Sequence, residues 1–385
     1  MKQKRLWALL LAALLALSGC GGKNGEEQED GGDIRSDALP ATGLAIRRAQ
    51  NFHIQYLADG VKLLTDSAGR ELLLVPEGGK APAEFKDALR VTTPIKRAMF
   101  TSAAHVSFLG ALEEDSLYSS IAAVTTEESR WSTPQVLDRF ASGQTAYIAE
   151  ESWMAGEVEG IAVAAPELVF VDMFSEGGAA LCTILDGLGI PYVAAAADRD
   201  TGSEAYLEWL KFFGAFYNLD QKANDLYEEK TEYLAGLYRK AASIPGSERP
   251  VVAVGMVSGG MVYAQGGSST IAQQLEGAGA VYALKDLEGD GPVQLAMEEF
   301  LDQCRDADIL IYDDLPANMQ GTLLDQDPLF AECRAYQDQR VYTLDNSCYM
   351  DSAKVVEKFE DLLAICHPAL EADRVLTFFQ PLPND

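Results

Sequence analysis

SEAYLEWLKFFGAFYNLDQKANDLYEEKTEYLAGLYRKA, residues 203–241, is one long run of helical periodicity with a local break at Tyr217-Asn218-Leu219-Asp220. In its second half Ala223, Leu226, Tyr227, Tyr233, Leu234, Leu237 and Tyr238 recur mainly at spacings of three, four and seven. Such spacings lay an apolar stripe along one face of a helix. No Pro or Gly interrupts that half until Gly236, and 243–250 then ends the pattern with Pro, Gly and Ser. A long helix in the middle of a chain divides what lies on either side of it.

On both sides short apolar runs alternate with longer helical patterns. The predicted strands before the long helix are 98–102, 122–125, 168–172 and 192–195; those after it are 251–256, 309–312 and 341–344. Helical patterns at 105–112, 133–142, 158–164 and 177–187 lie between the first set. This alternation implies βαβ units, parallel sheets and ligand sites at the C-terminal strand ends. Ahead of these, 54–75 alternates polar and apolar residues around Asp-Gly and Ala-Gly, the pattern of a hairpin or meander. A chain of 385 residues exceeds what one core usually holds. The division predicted is an α/β lobe over 45–218, an interlobe helix over 219–242 and a second α/β lobe over 243–385.

The N-terminus sets the compartment. Residues 1–20, MKQKRLWALLLAALLALSGC, have a basic start, an apolar run from Leu6 to Leu17 and then Leu-Ser-Gly-Cys. The run is short for a permanent span and stands where a secretion signal stands. A cysteine directly after Leu-Ser-Gly looks like a bacterial lipoprotein signal, with Cys20 as the lipidated residue. Residues 21–44 are Gly-rich, acidic and poor in large apolar side chains, the composition of a flexible tether. The expected location is extracytoplasmic, with the chain held to the cell membrane by a lipid on Cys20.

Composition excludes several functions. With 30 Lys and Arg against 59 Asp and Glu, the formal charge is −29, which opposes binding to nucleic acid or to an anionic lipid surface. Beyond Cys20 the cysteines are Cys182, Cys304, Cys333, Cys348 and Cys366, too widely spaced for a zinc pattern, and no disulfide is assigned. The three histidines, His53, His105 and His367, are too few and too scattered for a transition-metal site, so no metal ligands are assigned. The scarcity of His also removes most acid–base constellations; Gly-x-Ser-x-Gly is missing, and Gly266-Gly267-Ser268-Ser269 is not a phosphate loop. No catalytic residue or cofactor is assigned.

Five segments then occur in a telling order. PIKRAMF (94–100) leads into the first core strand. VEGIAVAAPELVFV (158–171) is a short helix opening on Glu159, a Pro stop and a buried strand. LEWLKF (207–212) precedes the long helix, and VYAQGGSS (262–269) with LEGAG (275–279) follows it. MEEFL (297–301) with DADILIY (306–312) repeats the carboxylate-bearing helix and buried strand. Together with the lipoprotein signal, these segments resemble the ferric-siderophore and cobalamin type of ABC-transporter solute-binding proteins, the class III or helical-backbone periplasmic binding proteins. The resemblance covers roughly residues 50–370. Glu167 stands where an aspartate is usual, and Ala307 where a proline is common.

The resemblance implies an α/β fold of two Rossmann-like lobes with central, mainly parallel sheets joined by a long interlobe α-helix. It implies a monomer that captures a small molecule between the lobes and delivers it to an ABC permease dimer with a cytoplasmic ATPase. Glu159, and either Glu298 or Glu299, would dock on the two permease subunits. The cleft residues expected are Met99, Phe100, Thr101, Ser102, Arg130, Trp131, Phe174, Ser175, Met256, Tyr263, Tyr312, Tyr349 and Met350. Aromatic faces with Arg130 suit a bulky, partly anionic iron chelate such as a ferric siderophore. Haem, a corrinoid or a metal ion is the alternative ligand, and a surface sensor or adhesin on the same scaffold is the alternative outside transport.

Overall fold

The computed structural model describes residues 44–382 except 87, 174, 176 and 320; the expected signal peptide, Cys20 and nearly all of the tether lie outside the described residues. Strands β1 (His53–Tyr56), β2 (Lys62–Thr65) and β3 (Glu71–Pro76) form the antiparallel meander expected over 54–75, and β4 (Leu89–Thr93) joins it parallel to β3.

The chain then builds a doubly wound sheet from β5 (Ala98–Phe100), β6 (Ile121–Val124), β7 (Ala146–Tyr147), β8 (Leu168–Val171) and β9 (Tyr192–Ala194). Its order is β7-β6-β5-β8-β9 and every pair is parallel. Winding outward in both directions from β5 sends the loops after β5 and β8 to opposite faces, which opens a crevice at the C-terminal strand ends. β5, β6, β8 and β9 are buried along their whole length, as strands of a sheet covered on both faces must be.

The second sheet contains β10 (Val251–Ser258), β11 (Met261–Gln265), β12 (Val281–Tyr282), β13 (Pro292–Leu295), β14 (Ile309–Tyr312), β15 (Val341–Leu344) and β16 (Phe379–Pro381). β10, β14 and β15 form its parallel centre, with β12 also parallel to β10. β11, β13 and β16 run antiparallel on its flanks and were not predicted. The turn from β10 to β11 is the two-residue loop Gly259-Gly260, both at positive φ (60° and 77°), a hairpin signal visible in the sequence.

The helix Trp209–Phe216 is apolar except for Lys211, and every one of its residues is buried. Its Trp209, Phe212, Phe213 and Phe216 rings pack with Phe52 and Phe170 in the core of the first lobe. The break expected at 217–220 is real. Asn218 turns left-handed (φ 57°), and the buried Lys62 ammonium donates to the Ala215 carbonyl (2.7 Å), Asn218 Oδ1 (3.2 Å) and Asp220 Oδ2 (2.7 Å). Lys62 thus satisfies one helix end while compensating a carboxylate at the start of the next.

The interlobe helix runs Asp220–Ala242, 23 residues. Ala223 and Leu226 lie in the core of the first lobe, whereas Tyr227, Leu234, Leu237 and Ala241 lie in that of the second. One rigid element is therefore shared by two cores. Tyr233, read as part of the apolar stripe, is 53% exposed and donates its hydroxyl to Glu360 Oε1 (2.7 Å).

The lobes share a construction device. Glu167, just before β8, accepts the Lys96 N–H (2.9 Å) ahead of β5; Asp308, just before β14, accepts the Val251 N–H (2.8 Å) at the start of β10. The Glu-for-Asp departure at 167 keeps this role. Near the start of the described residues, the buried Glu208 carboxylate receives the backbone N–H groups of Arg47, Arg48 and Ala49 at 2.6–3.0 Å and pairs with buried Lys211 (3.1 Å). Glu208 therefore ties residues 47–49 onto the helix pair below the first lobe.

Candidate functional site

Two cavities lie where the strand-end loops of both lobes meet. One, of about 620 Å³, is walled by the loops after β5 and β6 and by residues 348–352 of the second lobe. The other, of about 560 Å³, is walled by residues 198–206, by the ends of β11 and β14 and by the segment around Ser269-Thr270. Asp198, Tyr206, Cys348 and Ser352 line both, so the two are chambers of one cleft.

The loop after β5 is organised by hydroxyls. Thr101 Oγ1 accepts the Asp172 N–H (2.7 Å), the Thr125 hydroxyl donates to the Thr101 carbonyl (2.8 Å), and Ser102 caps the helix Ala103–Ala111. Arg130 reaches the first chamber, and its carbonyl accepts from Asn346 Nδ2 of the other lobe (2.7 Å). In the second chamber Gln265 Nε2 donates to Asp313 Oδ2 (2.7 Å), which places an amide and a carboxylate side by side on the second lobe. The cleft carries both charge signs: Glu127, Asp198, Asp290 and Asp313 against Arg130, Arg199 and Lys358. Burial pushes the Tyr206 phenol up to about 12, so it stays protonated as a donor at neutral pH.

Of the residues expected in the cleft, Thr101, Ser102, Arg130, Tyr349 and Met350 line it. Met99 and Phe100 do not: both are fully buried on β5, whose side chains alternate into the two covering layers of a sandwiched strand. Phe100 stacks on Phe170 at 4.8 Å. Tyr312 is likewise buried in the second core, with its hydroxyl accepting the Val257 N–H (3.1 Å). Trp131 is buried and donates to the Thr126 carbonyl (3.1 Å). Ser175 is half-buried and donates to the Asp172 carbonyl (2.8 Å), and Met256 and Tyr263 are half-buried on the β10–β11 hairpin; none of the three lines the chambers described. Phe174 lies outside the described residues.

The sequence reading missed Thr125, Thr126, Asp198, Gln265, Asp313 and Ser352. Asp313 directly follows a predicted strand and Thr125 ends one, so a strict rule of taking the polar residues at each strand end would have found them. Ser352 has no such signal. Glu159 opens the exposed helix Glu159–Ala164, and Glu298 and Glu299 lie exposed in the first turn of Met297–Cys304. Among the described residues no three His, Cys, Asp or Glu side chains come together as a metal-ligand set, and no helix is long and apolar enough to cross a membrane.

Comparison with known proteins adds family evidence. The family model for periplasmic binding proteins matches residues 129–348. An uncharacterized lipoprotein of Methanocaldococcus jannaschii is 24% identical over 330 residues, 83% of this chain and 77% of that one. The structure of a periplasmic haem-binding protein from Pseudomonas aeruginosa superposes with a TM-score of 0.54 at 20% identity, over 71% of this chain and 94% of that one. An ABC-type Fe3+-hydroxamate transport protein from Saccharomonospora viridis does so with 0.50 at 18% identity, over 70% and 93%. At such identities the structural likeness speaks for the fold.

Proposed function

The chain belongs to the periplasmic binding protein family, and on that premise we propose that it is the lipid-tethered solute receptor of an ABC importer whose ligand is a hydrophilic ferric siderophore. Extracytoplasmic solute binding is the family's common property; the ligand class and the anchor are our reading. The observation that carries the ligand class is the lining of the cleft. Its walls set hydroxyls, amides and charges of both signs from both lobes, such as Thr101, Arg130, Tyr206, Gln265 and Asp313, among apolar side chains such as Ile271, Ile311, Leu344 and Phe379.

A chelate with carbonyl, amide and hydroxyl groups around its metal meets complementary donors and acceptors on such walls. A flat macrocycle needs broad aromatic or aliphatic faces. Phe100, Trp131 and Tyr312 are committed to the cores, which leaves Tyr206, Tyr349 and the largely buried Phe379 as the aromatic rings lining the cleft. The metal of a siderophore arrives already ligated, so the site has to recognise the chelate's periphery and needs no His cluster of its own.

Tryptophan-fluorescence titration of the secreted chain tests this. Iron(III)-loaded hydroxamate siderophore should quench saturably, with haem, cobalamin and Zn2+ producing no saturable change at the same concentrations. Saturation by haem or cobalamin, with the siderophore silent, would assign the cleft to a macrocycle and overturn the reading.

A further inference from the structure

We propose that Cys304 and Cys333 are the two halves of a disulfide, closed by thiol–disulfide exchange as the chain folds outside the cytoplasm. The inference goes beyond the reading of the ligand. It takes from that reading only the extracytoplasmic compartment, where such exchange is ordinary.

Both thiols are free in the structure, and each residue is 2% exposed in the core of the second lobe. Cys304 is the last residue of the helix Met297–Cys304, whose first turn carries Glu298 and Glu299. Cys333 is extended (φ −72°, ψ 130°) directly ahead of the helix Arg334–Gln337. The residue after Cys304 grips the residues on both sides of Cys333. The Arg305 carbonyl accepts the Arg334 N–H at 2.9 Å, and the Arg305 guanidinium pairs with Glu332 Oε2 at 3.4 Å. Arg334 in turn reaches back to Asp308 Oδ1 at 2.9 Å. This clasp sets the two cysteines side by side, as a bridge made without backbone movement requires. The thiols share the space beneath it: the Cys333 sulfur is near enough to oppose ionisation of the Cys304 thiol.

Burial sets when the bond forms. It pushes both thiols up, Cys333 to about 11, so neither supplies much thiolate once the core has closed. Exchange therefore belongs to the folding chain. One cysteine thiolate attacks a small-molecule disulfide such as glutathione disulfide, forming a mixed disulfide and releasing one glutathione thiolate. The second cysteine thiolate attacks the protein sulfur of that mixed disulfide and releases the other. The pair of cysteines loses two electrons and two protons; the glutathione disulfide gains both and leaves as two thiols. The new bond closes a loop of about 30 residues, which restricts the unfolded chain and fastens the end of the helix that bears Glu298 and Glu299.

The Cys20→Ala chain tests this when reduced in urea, refolded by dilution into a buffer of glutathione and glutathione disulfide, alkylated in urea and digested for mass spectrometry. The oxidant is supplied in vitro, so the result does not depend on the compartment. A cross-linked Cys304–Cys333 peptide should dominate, with Cys182, Cys348 and Cys366 recovered alkylated. Recovery of Cys304 and Cys333 as alkylated thiols, or bridging of either to another cysteine, overturns the proposal. A second measurement uses the soluble refolded fraction, with and without dithiothreitol. Reductant should lower its urea midpoint by about 0.5 M or more and leave that of Cys333→Ser unmoved. An unmoved midpoint in the Cys20→Ala chain, or an equal shift in Cys333→Ser, overturns it equally.

Discussion

His105 is an ionisable side chain buried within the first lobe. It is 3% exposed on the helix Ala103–Ala111, its ring lies 5.7 Å from that of Phe213, and its Nδ1 has no hydrogen-bond partner. Burial pushes its pKa down from 6.5 to about 4, against the opposing pull of the Asp198 carboxylate. The unfolded chain takes up a proton at this residue as pH falls through 6.5, while the folded protein does so only near 4. The contribution is thus complete above 6.5 and lost as pH falls toward 4, an amount on the order of 3 kcal/mol. His105→Phe should remove that part of the pH dependence. Urea midpoints for both proteins between pH 7 and 4 check it, and parallel slopes would show that His105 does not titrate this way.

At the scale of elements, two glycines make opposite predictions. A Cβ on Gly214 would meet Ala223 Cβ at 2.7 Å, so the helices Trp209–Phe216 and Asp220–Ala242 touch there through a missing side chain. Gly214→Ala should destabilise the fold by about 1–3 kcal/mol through overpacking. A Cβ on Gly236, within the interlobe helix, would meet only the Arg239 guanidinium at 3.8 Å. Gly236→Ala should therefore stabilise by about 0.5–1 kcal/mol, the ordinary propensity gain in a helix. Thermal or urea unfolding of the two variants measures both signs. Elements of this kind were legible because each is dictated locally. The run at 203–241, its break at Asn218 and the strands β5, β6, β8, β9, β10, β14 and β15 all follow from periodicity and turn chemistry. The flanking strands β13 and β16 escaped because their partly exposed residues break the continuous apolar run that marks a strand covered on both faces.

At the scale of the whole molecule, the proposed function requires a chain of charge −29 to be held near a membrane and aligned on a permease. In our reading the lipid on Cys20 does the first, and Glu159 with Glu298 or Glu299 does the second, one carboxylate on each lobe. A single exposed ion pair contributes little, but two set at a fixed separation define register and orientation. The helix Asp220–Ala242, shared by both cores, joins the lobes that carry them. Cys20→Ala should release the protein into the soluble fraction. Glu159→Arg with Glu298→Arg should leave it membrane-bound and able to bind ligand, while uptake in cells carrying the cognate permease collapses. Uptake unchanged by the double reversal, and also by Glu299→Arg in place of Glu298→Arg, would place docking elsewhere; retention of the Cys20→Ala protein on the membrane would reveal another anchor.

The sequence by itself determined the α/β class, the positions of the central strands and the long helix between them, because hydrophobic period and helix breakers act over a few residues. It also placed Thr101, Ser102 and Arg130 at the cleft, since strand-end loops follow from the strands. Only the tertiary structure decided which aromatics face a ligand. Phe100 and Tyr312 sit at strand positions next to the cleft but are claimed by the covering layers, and a strand pattern buried on both faces carries no mark of which side chain is last before the loop. Tertiary structure alone likewise placed Met350 and Ala353 in the core of the first lobe. Their partners lie some 240 residues earlier, as the pairing of Ser107 with Ser352 illustrates, and no local pattern can encode a contact whose two halves meet only once both lobes have folded.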